Sequence, residues 1–134
     1  MKIVGSAGCR LHVLLCTGLM FVCFSCVQVQ AANGDTKQGR VLFEKNCVSC
    51  HGPNGNGQGE ALTESLPEPR DFSRNEFKFD TDADWQRGTY SDLADVINNG
   101  AAAYGGSAIM PAWAGLSPQD VKNLVAYIQS LKQQ

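Results

Sequence analysis

Asn46-Cys47-Val48-Ser49-Cys50-His51-Gly52 decides how this chain is read. Its C-x-x-C-H core is the attachment pattern of a covalently bound c-type haem. Two thiols add across the two vinyl groups of the porphyrin, and the histidine after the second Cys then lies under the iron as an axial ligand. If the segment closes a helix, Cys47 and His51 are one turn apart and face the same way.

Other readings of the motif fit less well. A zinc site takes about four Cys, His or carboxylate ligands, and beyond residue 31 the only Cys and His are Cys47, Cys50 and His51. A thioredoxin-like dithiol is expected near a βαβ pattern, and no alternating strand pattern surrounds this one. A structural disulfide leaves the adjacent His51 unexplained.

The N-terminus supports export. Lys2 and Arg10 form a positive start, residues 13–27 are a largely apolar run, and Val29-Gln30-Ala31 offers small residues for cleavage. The run is shorter than the roughly 20 residues of a membrane span. Residues 1–31 therefore read as a signal peptide and residues 35–134 as one domain, with the periplasm as destination. Four of the six cysteines, Cys9, Cys16, Cys23 and Cys26, fall in the signal. Cys26 is a candidate lipid anchor, although Cys23-Phe24-Ser25 matches a lipobox poorly. Membrane association is expected only through that lipid or a retained signal.

From residue 32 onward, 9 Lys/Arg face 13 Asp/Glu, a formal charge of −4. An acidic surface excludes nucleic acid as the expected partner and favours redox proteins with a basic docking patch. The remaining 103 residues suffice for one small domain, whose core a bound haem would help to fill.

Coarse periodicity gives three helices. The first starts near Asp35, with Gln38 placed to complete a capping box, and carries Leu42 and Phe43 toward Cys47. The second starts at Thr89 or Ser91, uses Leu93, Val96 and Ile97 as its apolar face, and stops at Gly100. The third opens with Ser117-Pro118, and Val121, Leu124, Val125, Ile128 and Leu131 recur at helical spacing. Asn54-Gly55-Asn56-Gly57-Gln58-Gly59 reads as a solvated loop without the acidic ligands of a calcium site. Residues 60–88 hold no long periodic element beyond a short turn near 60–65. Phe72, Phe77, Phe79 and Trp85 are candidates to cover haem there, or ordinary core.

The iron needs a sixth ligand or an open site. No His besides His51 follows residue 31, and the single Met there, Met110, lies in Ala108-Ile109-Met110-Pro111-Ala112-Trp113 just before the last helix. Met/His is the usual pair for electron transfer, so Met110 is the candidate.

With these residues in place, the chain resembles the class I single-haem cytochrome c family of bacteria. The resemblance rests on Gly39-x-x-x-Phe43, Cys47-x-x-Cys50-His51-Gly52, Met110-Pro111-Ala112-Trp113 and Leu124-Val125-Ala126-Tyr127-Ile128. It implies an all-α class I cytochrome c fold, with three to four helices around one haem c attached through Cys47 and Cys50 and ligated by His51 and Met110. It further implies a close crossing of the first and last helices at Gly39, with Phe43 and Tyr127 packed there. A proline carbonyl, Pro67 in preference to Pro69, would accept the His51 ring proton, and Arg70 is a candidate partner of a haem propionate. Residues 67–90 carry no dense lysine face, so mitochondrial partners are not carried over.

The expected function is that of a periplasmic electron carrier, not an enzyme, as a monomer or within a complex. The alternatives are a haem-bearing subunit of a larger oxidoreductase and, with an open sixth site, a gas-binding haem protein.

Overall fold

The computed structural model describes residues 34–61 and 67–132. Its elements are α1 (Thr36–Asn46), α2 (Val48–His51), α3 (Tyr90–Asn99), a 3-10 turn (Ala101–Tyr104) and α4 (Pro118–Ser130). No strand occurs among the described residues. The signal-peptide reading of residues 1–31, with Cys26, and most of the turn expected at 60–65 lie outside them.

Local chemistry starts each long helix. At α1 the Asp35 side chain accepts from the amides of Lys37 and Gln38. Gln38 does not return the bond expected of a capping box; the Asp35 amide donates instead to Asn123 Oδ1 of α4 at 2.8 Å. A tertiary contact thus satisfies an N-terminal donor that a local one was expected to take. Thr89 with Asp92, and Ser117 with Asp120, form complete capping boxes at α3 and α4. Pro118 sits in the first turn of α4, where its missing N–H costs no bond.

Helices α1 and α4 cross at Gly39. A Cβ there would overlap the Asn123 carbonyl and crowd Tyr127 Cβ, so only glycine permits this approach. Beside it the rings of Phe43 and Tyr127 meet edge to face at 5.3 Å between centroids, as the family pattern implies. Phe43, Leu124 and Val125 are essentially buried at this crossing. Each such side chain contributes about 1.5–3 kcal/mol of apolar burial. Leu93, Ile97, Val121 and Ile128 extend the cluster to α3.

The glycine-rich loop differs from the solvated loop expected. Gly55 and Gly57 are buried. The loop folds back on the Cys47–His51 motif, with Gly57 N donating to the His51 carbonyl at 2.9 Å and Gly59 N to the Cys50 carbonyl at 3.1 Å. Phe72 N in turn donates to the Gly55 carbonyl at 2.7 Å. Without side chains, the loop lets residues 69–72 close over α2; a Cβ on Gly57 would press on the Pro69 carbonyl. Trp85, a candidate haem cover or core residue by sequence, is instead 95% exposed and covers nothing. Asp80 accepts from the amides of Asp84 and Trp85, which holds this turn outward.

Candidate functional site

Cys47 ends α1 and begins α2, its φ of −120° marking the bend between them. One turn later the His51 amide donates to the Cys47 carbonyl at 2.9 Å. The motif is thus a single helical turn set at an angle to α1, and Cys47, Cys50 and His51 all line one cavity. Gly52, at φ +75°, then turns the chain away. Both cysteines are free thiols. Burial first, and then the neighbouring Cys50, push the Cys47 thiol up to about 11.

Met110 reaches the same cavity from the opposite end of the sequence. Its loop is fastened to the end of α3: Ala101 N donates to the Met110 carbonyl at 3.3 Å, and Trp113 N to the Ile97 carbonyl at 2.8 Å. Gly100, at φ +79°, makes this return possible, since a Cβ there would crowd Ala112 N and the Met110 carbonyl.

The cavity measures about 520 Å³, within the roughly 300–1,000 Å³ of small-molecule and cofactor sites. Phe43, Leu93, Val96, Ile97, Leu124 and Ile128 supply apolar wall, and Phe72, Phe77 and Phe79 join them as the sequence suggested. Lys78 closes one side, its Nζ 3.3 Å from the Gly105 carbonyl and 5.1 Å from the Phe79 ring centre. Arg70 lines the cavity and forms no ion pair among the described residues.

His51 stacks on Phe72 at 4.8 Å between ring centres. Its Nδ1 is buried with no hydrogen-bond partner. Pro67 and Pro69 both line the cavity, but neither carbonyl accepts from that nitrogen, contrary to the family expectation. Burial lowers the His51 pKa to about 4 and keeps the ring neutral, the form able to ligate a metal. A neutral imidazole with an unpartnered nitrogen, two free thiols and a thioether on one apolar cavity fit a covalently held haem.

A family model described as Cytochrome c matches residues 36–132. The chain belongs to the cytochrome c family. Membership implies a covalently bound c-type haem, and the helical fold described above is the cytochrome c fold. Cytochrome c-554(547) of Halothiobacillus neapolitanus is 33% identical over 99 residues, covering 74% of this chain and 99% of that protein. The Cbb3-type cytochrome c oxidase subunit FixP of Azorhizobium caulinodans is 35% identical over 105 residues, 75% of this chain. This chain spans only 30% of that relative's length. A chain of the Kuenenia stuttgartiensis reducing HAO-like protein complex Kustc0457/Kustc0458 superposes with a TM-score of 0.63 at 27% identity, covering 75% of this chain and 44% of that one. Such relatives fit an electron-transfer haem protein that works with redox partners or inside a complex, and that is exported or membrane-associated. No helix among the described residues is long and apolar enough to cross a membrane.

The structure brings together the four residues that the sequence offered, Cys47 and Cys50 for attachment and His51 and Met110 as candidate ligands. It missed Asp92, Lys78 and the buried glycines of the loop. The regular Gly-x-Gly-x-Gly spacing was the available signal for the last of these.

Proposed function

We propose that this cytochrome c is a periplasmic carrier of single electrons, with one haem c attached through Cys47 and Cys50 and ligated by His51 and Met110. The observation that carries this reading is the convergence of those four side chains on one apolar cavity. When bound, the haem supplies a ferric/ferrous couple. The polypeptide supplies the rest. Cys47 and Cys50 would hold the cofactor in the pocket, His51 and Met110 would ligate its iron, and the phenylalanines would exclude water. A thioether ligand and an apolar wall both favour the reduced state and raise the potential. The domain boundaries follow, with residues 1–31 as the export signal and 35–134 as the haem domain.

The FixP likeness supports a second reading, in which the domain serves as the haem-bearing part of an oxidoreductase complex. Isolation as a free monomer supports the carrier; tight co-purification with a catalytic chain supports the complex. A gas-binding role requires an open sixth position, which Met110 opposes. A redox titration followed by the reduced-minus-oxidised spectrum tests the reading. A single reversible one-electron transition with c-type bands supports it, and a spectrum without such a transition overturns it.

A further inference from the structure

Asp92 is 1% exposed, and it lines the same cavity as His51 and Met110. Its carboxylate is filled with donors on both oxygens. Oδ1 accepts from Thr81 N at 2.6 Å and Thr81 Oγ1 at 3.2 Å. Oδ2 accepts from Thr89 N at 3.1 Å and Thr89 Oγ1 at 2.8 Å. An amide N–H can only donate, and four donors on the two oxygens favour the carboxylate, which accepts at every site, over the acid, which must spend one site on its own proton. No cation pairs with it among the described residues. Its partners are neutral, and one full negative charge remains in the cavity wall.

On the reading that this cavity holds a redox-active haem, we infer that Asp92 tunes its potential, its fixed charge favouring the ferric over the ferrous iron and so lowering the potential. The physical argument is Coulombic. Oxidation adds one positive charge, which a nearby negative charge stabilises, and a buried charge is screened far less than a surface one. The effect opposes that of the Met110 sulfur. The same geometry also gives Asp92 a structural task, since it ties residues 81 and 89 to the first turn of α3. The test must separate charge from anchoring.

The holoprotein is titrated as wild type, Asp92→Asn, Asp92→Glu and Asp84→Asn. Asp92→Asn removes the buried charge and should raise the midpoint several-fold in the ferrous/ferric ratio; a tenfold change reads as about 59 mV for one electron. Asp92→Glu keeps the charge while disturbing the fit, and should stay near wild type. Asp84→Asn removes an exposed charge and should shift the midpoint far less. The Asp92→Asn shift should persist at about 1 M salt, where the screening length is near 3 Å. If Asp92→Asn gives no folded holoprotein, Asp92→Ser, whose hydroxyl accepts but carries no charge, replaces it. A midpoint for the neutral variants equal to wild type, or a parallel shift in Asp92→Glu, reduces Asp92 to a loop anchor. Absence of redox-active haem in the wild type is a different failure, that of the reading beneath this inference.

Discussion

Gly39 of α1 lies so close to Asn123 of α4 that a methyl group at Gly39 would overlap the Asn123 carbonyl. Helix propensity alone favours Ala over Gly by up to about 1 kcal/mol. Overpacking against backbone, which cannot turn aside, costs about 1–3 kcal/mol. The clash wins. Gly39→Ala should therefore lower the thermal unfolding midpoint of the holoprotein followed by circular dichroism. An unchanged or higher midpoint would mean that the crossing relaxes at little cost.

Met110 is the thioether of the cavity, and its loop is pinned to α3 through Ala101 and Trp113. Met110→Ala should abolish the weak near-infrared band of Met-to-ferric ligation. It should also admit carbon monoxide to the reduced protein and lower the potential, while the haem stays attached. A variant with the wild-type spectrum and potential would reduce Met110 to packing and favour the gas-binding reading.

The fold and the four candidate haem-site residues were legible because their signals are local. Ser117-Pro118 and Thr89 announce helix starts through caps, and Val121, Leu124, Val125 and Ile128 declare one buried face. What was not legible depends on distant backbone. The Asn54–Gly59 stretch reads as solvated because its glycines lack side chains, yet that same absence admits residues 69–72. Trp85 was a candidate haem cover by its type alone, and the carboxylate of Asp80 turns its backbone outward. Asp92 belongs to none of the motifs that mark the site; half of the hydrogen bonds on its carboxylate come from Thr81, eleven residues upstream.

Stability at acid pH should register Asp92. Burial alone pushes its carboxyl up from the ordinary 3.8, but the bonds from Thr81 and Thr89 outweigh burial and hold it lower. A depressed folded pKa contributes stability that is fully present above the unfolded value and is lost as pH falls through the folded one. Below about pH 4 the wild-type holoprotein should lose unfolding free energy more steeply than Asp92→Asn, in urea titrations at fixed temperature. Parallel pH profiles would show that the carboxylate is not preferentially ionised in the fold.

The formal charge of −4 from residue 32 onward should steer electron exchange. A cationic ruthenium ammine should oxidise the reduced protein at a rate that falls as salt rises, and an anionic cyanide complex of iron at a rate that rises. Salt-independent rates with both reagents would point to an uncharged contact at the haem edge.

A haem held covalently by Cys47 and Cys50 is tested most directly by the haem retained per chain after denaturation and acid–acetone extraction. Protein matured with a c-type haem attachment system should keep one haem per chain, and the double variant Cys47→Ala, Cys50→Ala should keep none. Haem that extracts freely from the wild type, or survives extraction in the double variant, would contradict attachment through these two cysteines.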